Sequence, residues 1–288
     1  MIASVGPCLP LAVLRATGCY AGPLPIDLGK QVGRADAWLE SKFAPWARLA
    51  LQGWADGDYD HLDRVIFSRA DDTAQRLYYY VCELQRRGFI AGPQAVIFDI
   101  ALVDRPSSLA RTGSKVRELA ALLAVDEAAI AAALPGPDPL PAAASDGPLC
   151  IIAGSPLPDH RLHEAAAAAG FRAEGQTLTD FWTFEPAIEP GQADPLEAIA
   201  RSLHLGATGP RSFAERGAAL ARSLAHSGAR AAVLWRIEED EAQTWHLPAE
   251  LRALADSGMP HLVLTRRDWL AGDGAADEIT AFLREIAA

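Results

Sequence analysis

The 288-residue sequence predicts an α/β protein of two domains, each built on a mainly parallel sheet. Three observations lead there. Short apolar runs alternate with helical stretches of roughly ten to fifteen residues, the pattern of β-α-β units. The runs are dense in Val, Ile, Leu or Phe with little alternation, as in strands buried on both faces. A proline-rich interruption falls near mid-chain and leaves two parts of similar size.

The predicted strands, in order, are Arg64–Ser68, Gln94–Asp99, Leu149–Ala153, Ala231–Trp235 and His261–Thr265. Between them the helices carry readable ends. Asp194-Pro195-Leu196-Glu197 sets out an N-cap, a first-turn proline and a capping-box glutamate in sequence, so a helix starts there. Gly88, Gly170 and Gly258 each follow a helical stretch and suit a left-handed stop. Ile279, Phe282, Leu283 and Ile286 form a one-faced apolar stripe on the last helix, which should pack on a sheet. Between Leu134 and Pro148 the run PGPDPLPAAASDGP has four prolines before its last and no apolar periodicity. It is the best linker in the chain and divides it into domains 1–138 and 139–288.

Composition narrows the function. The formal charge is −11 and the pI near 5.1, with Lys30, Lys42 and Lys115 the only lysines. No basic stripe answers a nucleic-acid backbone, so nucleic acid is not an expected partner. No apolar run approaches the roughly 18 residues of a membrane span. The first basic residue, Arg15, follows the N-terminal apolar stretch, the wrong order for a secretory signal. The expected location is therefore cytoplasmic, where Cys8, Cys19, Cys82 and Cys150 remain thiols, and none of them forms a Cys-x-x-Cys pair.

Four segments carry a family resemblance: PCLPLAVLRATGCYAGPLPID from Pro7, APWARLALQGWADGDYDHLDRVIFSRADDTAQRLYYYVCELQRRG from Ala44, GPLCIIAGSPLPDHRLHEAAAAAGFRAEGQTLTD from Gly147, and ARAAVLWRIEEDEAQTWHLPAELRALADSGMPHLVLTRRDW from Ala229. In order, they resemble the opening, central, second-domain and closing blocks of the 2-hydroxyacyl-CoA dehydratase and benzoyl-CoA reductase subunits. The resemblance implies flavodoxin-like domains, a hetero-oligomer of two different subunits and an acyl-CoA substrate. It also implies one-electron reduction of the thioester through a [4Fe-4S] cluster, held by three cysteines per subunit and fed by an ATP-driven activator.

Carried over residue by residue, the three ligand positions fall on Ala44, on Ala70 and in the loop Arg236–Glu241, which reads Arg-Ile-Glu238-Glu239-Asp-Glu. None is a cysteine, and soft thiolate is what such clusters require. No cofactor is therefore expected on this chain, and the cluster is expected on a homologous cluster-bearing partner subunit. Cys82, inside a helix, and Cys150, inside a buried strand, read as structural.

In an open parallel sheet ligands sit at the carboxyl ends of the strands, here the loops 69–72, 99–105, 154–159, 177–180 and 236–241. The candidate substrate-binding residues are Gly154, Ser155, Cys19 and Asp71. Ser155 follows a strand and a glycine, so its hydroxyl can meet a phosphate or thioester oxygen; the plainer expectation is that it caps the next helix. Cys19, in an N-terminal turn, is expected to approach the cleft. Glu238 to Glu241 with His246 suit a hard metal or acid–base work, or simply a solvated loop before a helix. Of Tyr78, Tyr79 and Tyr80 on one helix, at least one should be exposed or in a subunit contact. Three functional expectations follow: a subunit of a dehydratase-like or reductase-like complex without its own cluster, a non-catalytic acyl-CoA-binding or regulatory module, or an enzyme doing metal or acid–base work through Glu238, Glu239 and His246.

Overall fold

The structure is a computed structural model that describes residues 1–101, 103, 105–135, 147–188, 194–205 and 216–287. The proline-rich run assigned as the linker lies almost wholly outside the described residues.

The chain forms two compact units, Met1–Leu140 with Trp182–Phe213, and Pro141–Phe181 with Ala214–Ala288. The first unit thus takes in a segment from beyond the proline-rich run, which a single cut at 138/139 does not anticipate. In chain order its elements are β1 (Ile2–Val5), α1 (Leu11–Ala16), β2 (Tyr20–Pro23), α2 (Arg34–Trp38), α3 (Pro45–Asp56), β3 (Arg64–Ser68), α4 (Asp72–Arg86), β4 (Gln94–Phe98), α5 (Pro106–Leu122) and α6 (Glu127–Ala132). Then come β5 (Leu149–Gly154), α7 (Arg161–Ala167), β6 (Arg172–Glu174), α8 (Leu178–Thr183), α9 (Pro195–Leu205), α10 (Arg216–Ser227), β7 (Ala231–Ile237), α11 (Leu247–Ser257), β8 (His261–Arg267) and α12 (Ala275–Ala287). A 3-10 turn, Glu241–His246, leads into α11.

Each unit holds a four-stranded sheet, in the order β2-β1-β3-β4 and β6-β5-β7-β8. Every pairing is parallel. The α/β class with two flavodoxin-like domains is therefore borne out, and the strand order is the same in both units.

All five predicted strands are present, but β4 and β8 are edge strands and only partly buried, whereas β3, β5 and β7 are buried. Three further strands escape the sequence reading. β1 is a central strand of only four residues, β2 is an edge strand that tolerates Gly22 and Pro23, and β6 is a three-residue edge with two charges.

The helix ends follow the sequence. Asp194 Oδ1 accepts from the amides of Leu196 and Glu197. Gly88, Gly170 and Gly258 have φ of +73°, +81° and +65°. Ile279 and Leu283 of α12 are fully buried. In the first unit α9 lays Leu196, Ile199, Ala200 and Leu203 into a core shared with α1, α5 and the sheet. In the second, β5 and β7 pack against Leu220, Leu224, Ala253 and Leu254 of α10 and α11.

Candidate functional sites at the strand ends

In both units the strand order reverses direction between the two central strands, β1/β3 and β5/β7, and a crevice at their carboxyl ends is the expected ligand site.

In the first unit that edge is made by the loop after β1 and the turn after β3. Gly6, at φ +91°, lets the two meet, because a Cβ there would stand 2.9 Å from Ser68 Cβ and 3.1 Å from Ala74 Cβ. Ser68 Oγ accepts from the Ala70 amide at 3.0 Å, and Asp71 Oδ1 caps α4 by accepting from the Ala74 amide at 2.7 Å. Beyond β4, Asp99 binds Arg69 at 2.7 Å and also pairs with Arg111. Burial alone would raise the Asp99 pKa, but Arg111 and Arg69 outweigh it and hold the carboxyl below its ordinary value. Two half-exposed guanidiniums thus flank one carboxylate at this edge, with Asp71 and Asp72 in the neighbouring turn.

Asp71 therefore stands where the sequence put it, while Cys19 does not. Its carbonyl accepts from the Ile2 amide, which places it beside the amino end of β1, opposite the strand ends that form the crevice. The parallel pairing of β2 with β1 fixes this: the turn entering β2 must lie at the amino edge.

The carried-over ligand positions behave differently. Ala70 is fully buried in the turn into α4. Ala44 is the N-cap of α3, next to Phe43, whose ring lies 4.3 Å beneath the Arg76 guanidinium of α4. Both border the N-terminal half of α4, yet each offers only a methyl group. The third falls in the loop after β7, where Glu238 makes a two-fold, exposed ion pair with Arg266 at 2.8 and 2.6 Å. These residues do not fit an iron–sulfur cluster, whose irons need thiolates. Cys8 and Cys19 lie at opposite ends of β1, Cys82 sits inside α4, and Cys150 lies in β5 of the other unit, where burial pushes its thiol up to about 12.

In the second unit Gly154 ends β5 at φ +123°, and a Cβ there would stand 1.9 Å from the Trp235 carbonyl oxygen. Ser155 follows it, 5% exposed. Its hydroxyl donates to Asp240 Oδ2 at 2.7 Å and accepts from the Ile237 amide at 3.3 Å. Ser155 does not cap α7, whose N-cap is His160, and its proton is turned to a carboxylate rather than to an open anion site.

The acidic run is divided. Glu238 faces Arg266, whereas Asp240 turns inward, where burial holds its carboxyl above the ordinary value against the lowering effects of Ser155 and Arg236. Beneath it, Arg236 binds Glu250 at 2.5 Å and approaches Asp240 to 3.6 Å. His246 precedes α11 without a side-chain cap. Among the described residues no group of three His, Cys, Asp or Glu is gathered as a metal site would require.

Arg236, Gln243 and Glu250 were not singled out from the sequence. The one available signal was an arginine inside the otherwise apolar strand AAVLWRI, since a charge in a buried strand needs a partner. On the opposite face of this sheet an open cleft of about 580 Å³ is lined by Asp159, His160, Arg161, Glu164 and residues 270–271 and 276. Arg161 is held there by both oxygens of Asp159 and by the Leu270 carbonyl.

Of the three tyrosines, Tyr78 packs against Phe67 with the rings tilted at 57° and Tyr80 bonds Glu40, leaving Tyr79 55% exposed. Phe89, 54% exposed, follows the same helix, with Trp38 beside it. No helix among the described residues is long and apolar enough to cross a membrane.

No protein-family model and no curated protein matches the chain.

Proposed function

We propose that this chain is an acyl-CoA-binding subunit of a 2-hydroxyacyl-CoA dehydratase-like or benzoyl-CoA reductase-like complex, working beside a homologous subunit that carries the [4Fe-4S] cluster. One observation carries the reading. Two of the positions that the resemblance implies as family ligands, Ala70 and the loop with Glu238 and Glu239, lie directly after β3 and β7. Those strands flank the points where each sheet reverses order, which is where an α/β sheet presents a ligand.

The chemistry at those edges supports binding rather than redox work. Coenzyme A carries phosphates, and Arg69 and Arg111, with Asp99 between them, offer planar, half-exposed guanidiniums. Arg105, exposed at the start of α5, adds a third. Electrons and the cluster come from the partner, because none of the three positions here offers the thiolate that a [4Fe-4S] cluster uses. Tyr79 and Phe89 supply exposed aromatic surface for the subunit contact.

The test is iron and sulfide analysis of the chain after anaerobic reconstitution, alone and co-purified with a cluster-bearing partner. The chain alone is expected to hold no cluster, and the complex one cluster, assigned to the partner. About four irons on the isolated chain, with a brown chromophore, would refute the reading. A chain that binds acyl-CoA but joins no partner would instead be a non-catalytic binding or regulatory module, the reading favoured by the replacement of all three ligand positions.

A further inference from the structure

We propose that the outer face of α11, together with the turn that leads into it, docks a basic amphipathic helix of a partner protein. Trp245 lies in that turn and is 89% exposed, more open than any other large apolar side chain among the described residues. A tryptophan ordinarily hides most of its surface, and at interfaces it is a recurrent anchor. It does not stand alone. The turn runs straight into α11, with Leu247 in helical backbone at φ −51° and ψ −45°. Trp245, Pro248, Leu251 and Ala255 follow at spacings of three, three and four, and all are exposed. That spacing lays them along one side, while Glu250, Ala253 and Leu254 of α11 are buried on the other. From Trp245 to Ala255 the stripe is about 15 Å long, a length that roughly three turns of a partner helix match.

The sheet and the charge define the occupant. The turn follows β7, which is paired on both sides by β5 and β8, so no strand can be added beside it, whereas a helix can lie along α11. Along the loop, the turn and the helix stand Glu238, Glu239, Glu241 and Asp256, with Arg252 and Arg266, the partner of Glu238, as cations. Asp240 and Glu250 turn inward to Arg236, with Arg216 also near Asp240. Carboxylates therefore outnumber guanidiniums around the stripe, and its rim is acidic. A helix with an apolar stripe flanked by lysine or arginine complements it, and such a cation over the open indole gains a further attraction. A second copy of this chain would instead bring the same acidic rim and a formal charge of −11 against its own kind. Nothing in this docking surface depends on acyl-CoA binding.

The probe is a synthetic peptide of about four helical turns, with leucine at every third or fourth position and lysine elsewhere, beside a counterpart carrying glutamate for lysine. The full-length chain is titrated with each by calorimetry, and acrylamide quenching of wild type is compared with Trp245→Phe to isolate the Trp245 signal. The lysine peptide is expected to bind one-to-one, to shield Trp245 from acrylamide and to weaken with added salt, while the glutamate peptide leaves the signal unchanged. Trp245→Ala should weaken binding about tenfold, as loss of an interface anchor does, and Leu251→Ala about threefold. Both side chains are exposed, so the urea midpoints should stay at the wild-type value. Lysine-peptide binding that both substitutions leave unchanged would mean general attraction to an acidic chain and would overturn the proposal. A glutamate peptide that binds equally well, or no shielding of Trp245 by the lysine peptide, would also overturn it. Shielding of Trp245 on raising the protein concentration alone would assign the surface to a second copy and overturn the basic partner.

Discussion

At the scale of single residues, Gly154 sets the geometry of the second crevice. Its φ is +123°, and a Cβ at this position would stand only 1.9 Å from the Trp235 oxygen, so there is no room for a side chain. Gly154→Ala should cost about 2 to 4 kcal/mol, read as a lower urea midpoint with unchanged slope. Two half-buried carboxyls should respond to pH in opposite directions. Asp240 has its pKa raised by burial above the ordinary 3.8, so its contribution is fully present below that value and is lost as pH rises through the raised one. Asp99, lowered by its arginines, contributes above 3.8 and loses that contribution as pH falls. Urea midpoints across acid pH should show the gap between wild type and Asp240→Asn shrinking with rising pH, and the gap to Asp99→Asn growing. The thiols give a third test: Cys19, exposed, should react fastest with a disulfide reagent in the native protein, while buried Cys8 and Cys150 should wait for unfolding. Sequence rules located Gly154, Ser155 and Asp71 because strand ends are legible in composition. They could not supply the Ser155–Asp240 bond, which joins residues 85 positions apart, nor the Arg236–Glu250 pair.

At the scale of elements, caps and stripes were legible because their causes are local, whereas the shortest strands were not. β1 reads as part of an apolar N-terminus and becomes a strand only through its register with β2 and β3. That register also explains why Cys19 was misplaced: without β2, nothing fixed which edge the turn belonged to. The predicted helix start at Asp194 has a measurable role, since α9 carries four core residues into the first unit. Asp194 also pairs with Arg117 of α5 at 2.7 Å. Asp194→Ala should therefore destabilise the protein by about 1 to 2 kcal/mol, measured by chemical denaturation, with the loss falling on amide-exchange protection in α9 and α5.

At the scale of the whole molecule, the chain repeats one strand order in two units without repeating its sequence. Parallel β-α-β order is dictated by apolar spacing, and many sequences satisfy that spacing. The excursion of Trp182–Phe213 into the first unit was not legible, because an amphipathic helix shows that it has a core face but not which core it joins. A fragment ending at residue 140 lacks α9 and should unfold without a cooperative transition, whereas a fragment that also supplies residues 182–213 in trans should regain one. The proposed function rests on the two strand-end edges, and its central claim is that an acyl-CoA thioester binds here without a cluster on this chain. Calorimetric titration of the iron-free chain with a 2-hydroxyacyl-CoA tests it most directly. Saturable one-to-one binding, weakened by Arg69→Ala and Arg111→Ala and by rising salt, is the predicted result; an absence of heat with every acyl-CoA, or binding that appears only after iron and sulfide are incorporated into this chain, would contradict it.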